Sequence, residues 1–250
     1  MIFIKTPVEI EKMKRSGKLL AKVHKEIAKM IRPGISTYEI DQFVEEYLRE
    51  HGAIPEQKGY RGYQYATCAS INDEICHGFP RKEPLKDGDI VTIDMVVNID
   101  GWLADSAWSY AVGNISDEAR KLLDVTKKAL YIGIEKAIIG NRIGDISHAI
   151  QTYVESEGFS IVRDFVGHGI GRNMHEEPQV PHFGLPGRGP RLMEGMVITI
   201  EPMVNAGKYQ CTIDDNGWTA RTIDGKLSAQ YEHTIAITKD GPIIITDQEE

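Results

Sequence analysis

Ile10, Met13, Gly17, Leu20, Val23, Ile27 and Met30 recur at helical spacing, so the stretch between Thr6 and Pro33 reads as an amphipathic helix. Thr6-Pro7-Val8-Glu9 marks its start: a capping threonine, a proline in the first turn and a glutamate that reaches back. Pro33-Gly34 breaks the pattern, Ser36-Thr37-Tyr38-Glu39 opens a second helix with the same reciprocal cap, and Gly52 closes it. From about Ala66 to Val112 the apolar positions come in short runs of strand character. The order then starts again, with a helix from about Ser116 to Ile139, a shorter one from about Asp145 to Glu157 ended by Gly158, and strands from about Ile161 to Ile245.

The two rounds overlay. Ile40, Val44, Tyr47, Leu48 and Gly52 match Ile146, Ile150, Tyr153, Val154 and Gly158 at a constant offset of 106. "DGDIVTID", ending at Asp94, matches "EGMVITIE", ending at Glu201, at an offset of 107. Helix, helix, strands, repeated, predicts an α/β (α+β) chain with a single domain over residues 1–250, built of duplicated halves near 1–112 and 113–250.

Each repeated strand ends on a carboxylate, which is costly on a largely apolar face. Asp100-Gly101 reads as a two-residue hairpin loop, so Ile99 pairs with Trp102 and Val96 with Asp105. Alternation puts Asp94 on the face of Val96, and Asp105 diagonally across at roughly 7–8 Å between backbone positions. The second half adds Glu201 and, in "AQYEHTIAIT", Glu232. Four acids gathered between two halves need shared protons or cations, and the amount of charge favours more than one metal ion.

"FVGHGIGRNMHEEP" supplies His168 between glycines and His175 seven residues later. No Gly-Lys-Ser/Thr accompanies these glycines, against a phosphate cradle, and Glu177-Pro178 stands where a second zinc-binding histidine would follow His175-Glu176. His24, His51, His148, His182 and His233 are read as packing residues. The net charge of −8 argues against general affinity for nucleic acid or acidic membranes. The amino terminus has no uninterrupted apolar core of a leader, and no stretch approaches the roughly 18–20 apolar residues of a membrane span. Cys68, Cys76 and Cys211, an odd number without CxxC spacing, read as reduced thiols of a cytoplasmic protein.

The set "ATCASINDEICHGFP", "DIVTIDMVVNIDGWLADSA", "VGHGIGRNMHEEPQV", "MVITIEPMV" and "AQYEHTIAIT" resembles the type I methionine aminopeptidases, in order and over almost the whole chain. The resemblance implies the pita-bread fold: two pseudo-symmetric halves forming a curved, mostly antiparallel sheet covered by helices. It implies a single catalytic domain that removes the initiator methionine from nascent chains when the next residue is small. It places metal ligands at Asp94, Asp105, His168, Glu201 and Glu232, with Asp105 and Glu232 bridging two divalent ions. Four carboxylates and one imidazole suit Mn, Fe or Co, with Zn also compatible. In the family mechanism a metal-bridging hydroxide attacks the scissile carbonyl, with Glu201 as general base, His175 stabilising the oxyanion and His77 contacting the scissile amide.

The family's methionine pocket carries over to Tyr60, Tyr63, Cys68, His77, Met174, His175 and Trp218, while Phe165, Met203 and Gln230 fall where space for the second residue is narrowed. The implied partners are polypeptide N-termini emerging near the ribosome in the cytoplasm, met by a monomer that needs no nucleic acid or membrane. Three positions depart from the family pattern: Met174 replaces a common aromatic, Val96 a common hydroxyl residue, and Ser106-Ala107 the usual Thr-Ser or Thr-Gly. Aminopeptidase P and prolidase share the fold and metal set but normally carry an extra preceding domain. The type II enzymes carry an insertion for which the 31 residues from Glu201 to Glu232 leave no room. An inactive binding homologue would have lost ligands, and all five are present.

Overall fold

The computed structural model describes residues 1–249. Four helices form: α1 (Pro7–Met30), α2 (Thr37–Glu50), α3 (Asp117–Glu135) and α4 (Ile143–Ser156). Between α2 and α3 run β1 (Ile54–Pro55), β2 (Cys68–Ile71), β3 (Glu74–Cys76), β4 (Ile90–Ile99) and β5 (Trp102–Ala111). After α4 come β6 (Ser160–Ile161), β7 (Gly167–Gly169), β8 (Glu176–Val180), β9 (Val197–Ile200) and β10 (Met203–Asn205). The last strands are β11 (Cys211–Ile213), β12 (Ala220–Thr222), β13 (Ser228–Gln230), β14 (His233–Thr238) and β15 (Gly241–Ile244).

Both reciprocal caps form as the sequence predicts. Thr6 Oγ1 accepts the Glu9 amide at 3.2 Å while Glu9 Oε1 accepts the Thr6 amide at 2.9 Å, and Ser36 and Glu39 repeat the exchange. Two boundaries differ from the sequence reading. α3 stops at Glu135 rather than Ile139, because the amides of Lys136 and Ala137 turn to carbonyls three residues back and tighten the last turn. α4 starts at Ile143, two residues before Asp145, whose carboxylate accepts the Arg142 amide at 2.7 Å and the Gly187 amide at 2.9 Å.

β4 and β5 form a ten-residue antiparallel hairpin whose turn residues, Asp100 and Gly101, have φ of 53° and 86°. A turn with both central residues left-handed matches the twist of the flanking strands. The register is the one counted from the sequence, Ile99 opposite Trp102 and Val96 opposite Asp105. β1 lies on the other side of β4, pairing Ile54 with Asn98 and Pro55 with Val97. In the second half β6 lies on β10, pairing Ser160 with Asn205 and Ile161 with Val204, at the same two offsets that relate the helices and the acidic strands.

β15, β14, β9, β7 and β8 make a second antiparallel sheet, in that order. One buried cluster packs α1 and α2 on β4 and β5, another packs α3 and α4 against β9, β10 and β14, and Trp108 touches both. The halves are sewn together along β5. Glu232 donates its amide to Ala107 O at 2.8 Å, Ser106 Oγ donates to Glu232 O at 2.8 Å, and Ser109 Oγ donates to Gln230 O at 2.8 Å.

α1 reaches across this seam to the carboxy-terminal strand. A Cβ on Gly17 would stand 2.1 Å from the Ile245 carbonyl oxygen, so only glycine permits that approach. Gly17→Ala is expected to lower unfolding stability by about 1–3 kcal/mol in a urea titration, despite alanine's better helix propensity. An unchanged midpoint would mean that α1 shifts without cost.

Candidate active site

Asp94 leaves β4 on the face that looks toward the second half, and Asp105 on β5 joins it from the neighbouring strand. The β5–Glu232 bridge brings Glu232 alongside, and Glu201 arrives directly after β9. His168 sits at a bulge of β7, where a register shift between His168 and Gly169 turns its ring inward. One donor atom each from Asp105, His168, Glu201 and Glu232 can be chosen so that all four lie within 4.8 Å of one another. Asp94 lies outside that tightest group and touches it from one end, in hydrogen-bonding range of Asp105 and Glu232. His168 closes the opposite end, its Nε2 at 3.5 Å from both Asp105 Oδ2 and Glu201 Oε2. Asp105 therefore interacts with both Asp94 and His168, and Glu232 with Asp94 and Glu201.

Among the described residues His168 is the cation within reach of these acids, one imidazole against four carboxylates. Burial and mutual repulsion push Asp94, Glu201 and Glu232 up, for Glu201 against the opposing effect of its contacts with Glu232 and His168. Burial also disfavours charged Asp105, but His168 outweighs it and holds that carboxyl down. For His168, burial works against the imidazolium, and Asp105 and Glu201 overcome it to lift the ring to about 9. Asp105 Oδ1 and both Glu232 oxygens are buried and accept no hydrogen bond from any donor of the described residues. Orphaned carboxylate oxygens facing one another are the signature of a cation site rather than a salt-bridge network, so the residues fit divalent metal.

Neighbouring side chains aim the donors. His168 Nδ1 lies 2.9 Å from Gly169 O, which makes Nδ1 the protonated nitrogen and leaves Nε2 as the donor toward a metal. Thr199 Oγ1 accepts the His168 amide at 3.0 Å and donates to Glu201 Oε2 at 2.8 Å. Thr234 Oγ1 accepts the Asp105 amide at 3.0 Å and donates to the Asp105 carbonyl at 2.7 Å. His182, read from the sequence as a packing residue, accepts the Glu201 amide on Nε2 at 3.0 Å. Val96, Met174 and Ser106-Ala107, the departures from the family pattern, remove no donor. Val96 and Met174 line the cavity, and Ser106 and Ala107 hold Glu232 by its backbone.

The acids open into a cavity of about 790 Å³. Every residue anticipated for the methionine pocket lines it: Tyr60, Tyr63, Cys68, His77, Met174, His175 and Trp218. So do Phe165, Met203 and Gln230. Tyr63 stacks edge-on against Trp218 at 5.1 Å between ring centres, and Cys68 stands opposite Asp94 on the adjoining strand. The His175 ring lies 4.5 Å from that of His168, and His77 meets Phe165 edge-on at 5.4 Å. Burial, then the neighbouring His168 charge, lowers His175; burial, then His175, lowers His77. Both shifts favour the neutral ring, and the His77 ring is hydrogen-bonded to the Trp218 backbone.

The turn that carries His175 is anchored from the chain's other end. Lys5 Nζ pairs with Glu176 Oε1 at 2.6 Å, both side chains about 5% exposed. The Lys5 amide meanwhile donates to Gly195 O at 2.8 Å.

A carboxylate-rich donor set with one imidazole, at the floor of an open cavity and beside two further histidines, could hold divalent metal for hydrolysis. Residues 11–239 match the family described as metallopeptidase family M24. A methionine aminopeptidase of Bacillus subtilis is 53% identical over 247 residues, covering 98% of this chain and 99% of that protein. The crystal structure of a methionine aminopeptidase from Rickettsia prowazekii superposes with a TM-score of 0.97 at 43% identity, covering 99% of this chain and 100% of that one. A Thermotoga maritima methionine aminopeptidase gives the same TM-score at 45% identity and the same coverage. The chain belongs to metallopeptidase family M24 and has the pita-bread fold of these enzymes.

Proposed function

We propose that this metallopeptidase removes the N-terminal methionine of polypeptides whose second residue is small. One observation carries the proposal: the buried Asp105, Glu232 and His168 and the half-buried Asp94 and Glu201, with carboxylate oxygens that have no partner among the described residues, adjoin a cavity walled by Tyr63, Cys68 and Trp218. The 53% identity to a full-length methionine aminopeptidase supports it. Asp94, Asp105, His168, Glu201 and Glu232 would hold two divalent ions, of Mn, Fe or Co or else Zn. Asp105 and Glu232 are the acids with charged neighbours on two sides. Bound there, the ions supply a water of lowered pKa and a Lewis acid for the scissile carbonyl.

The protein's own groups do the rest. Glu201, oriented by Thr199, takes the proton of the attacking water and returns it to the departing amine. Neutral His175 donates to the carbonyl oxygen as that atom gains charge, and His77 holds the scissile amide in place. The methionine side chain lies along Tyr63, Cys68 and Trp218, apolar surfaces that suit a thioether, with Tyr60 and Met174 closing the wall. The biological substrates are nascent chains leaving the ribosome in the cytoplasm, and the enzyme acts as a monomer. No helix among the described residues is long and apolar enough to cross a membrane.

Phe165, Met203 and Gln230 line the same cavity and are assigned here to the space for the second residue. Met-Ala-Ser is accordingly expected to be cleaved with a kcat/KM roughly 100-fold above that of Met-Leu-Ser. Equal rates on the two peptides would remove the assigned limit on the second residue.

A further inference from the structure

Gln57 has no task in the chemistry above, yet it is 8% exposed, lines the cavity and lies against the methionine wall. Its amide makes one hydrogen bond to the described residues, Nε2 to Cys68 Sγ at 3.5 Å. A primary amide carries two N–H donors and an acceptor oxygen, so part of this amide is without a protein partner at a position that lines the cavity. With the amide reversed, the Cys68 thiol donates to Oε1 and both N–H groups are left for a ligand. A free donor therefore remains in either orientation.

The position of that donor is informative. Cys68 stands opposite Asp94, so the acids and the sulfur-lined wall are neighbours across β2 and β4. A residue whose amino group is held among the acids can direct its side chain along Tyr63 and Cys68 toward Gln57. Methionine brings to that depth an atom that accepts hydrogen bonds, whereas norleucine has the same length with a methylene in its place. Norleucine is the more hydrophobic of the two, so a hydrogen bond to sulfur would add to the sulfur–aromatic contacts of Tyr63 and Trp218 in favouring methionine.

We infer that Gln57 is a specificity-determining residue whose free amide N–H donates to the thioether sulfur of the N-terminal methionine. The inference rests on the proposed function and adds to it the means by which sulfur is told from carbon. With norleucine bound, the buried N–H is shut off from water and left unpaired.

The test is a competition of Met-Ala-Ser with norleucyl-Ala-Ser in one tube, scored by release of the two free amino acids. Because both peptides meet the same enzyme molecules, the ratio of kcat/KM values is independent of metal loading. The wild-type protein is expected to favour methionine by about 5-fold, the effect of one net hydrogen bond. Gln57→Leu and Gln57→Met, two apolar replacements of different shape, are expected to bring the ratio to about 1, as loss of that bond requires. No preference in the wild type, or a preference surviving in either active variant, would overturn the role of Gln57. Failure of the wild type to release methionine at all would instead overturn the proposed function, and this inference with it.

Discussion

Asp94→Asn is expected to lose bound metal and activity together, with kcat/KM falling by about 10³-fold, the equivalent of roughly 4 kcal/mol of lost electrostatic stabilisation. Asp94 closes one end of the donor set and touches both Asp105 and Glu232. Without its charge, the set would have three carboxylates to hold the divalent ions instead of four. The same change relieves crowding in the metal-free protein, where buried acids repel one another. Metal-free Asp94→Asn is therefore expected to melt higher than the metal-free parent in calorimetry, although it binds metal less well. A variant with full metal content, measured by elemental analysis after dialysis, would contradict the role of Asp94 as a ligand.

His175→Ala is expected to separate binding from chemistry. The ring is 4.5 Å from that of His168 but belongs to no donor group, so metal content should be unchanged. Loss of a single donor to the developing oxyanion costs about 10²–10³ in kcat. KM for Met-Ala-Ser should change little, because the contact strengthens as the carbonyl oxygen becomes charged. Unchanged turnover would take His175 out of the mechanism, and a matching loss of metal would make it a structural support of His168.

Much of the site was legible because local rules govern it. A two-residue turn at Asp100-Gly101 fixes the β4–β5 register, and that register puts Asp94 and Asp105 on one face. The repeat of "VTID" as "ITIE" then implicates Glu201. The supporting residues were less legible because their partners are distant in sequence. Thr234 meets Asp105 from 129 residues away, and His182 meets Glu201 across a connecting loop. Thr199 left a usable signal, since it stands two residues before Glu201 and so shares its face, as Thr92 does with Asp94. Gln57 left none: its burial against Cys68 follows from the turn between α2 and β2, which no periodicity marks. The carboxy-terminal end of α3 and the start of α4 were misjudged for a related reason, because Asp145 caps from inside the helix and tightened turns blur the last residues.

On the proposed function, metal held by Asp94, Asp105, His168, Glu201 and Glu232 is what makes the protein release N-terminal methionine. Protein stripped with a chelator should release no methionine from Met-Ala-Ser, should recover on addition of Mn(II) or Co(II), and should leave Ala-Pro untouched in the same mixture. Methionine release that persists in the stripped protein, or a reloaded protein that prefers the bond before proline, would contradict it.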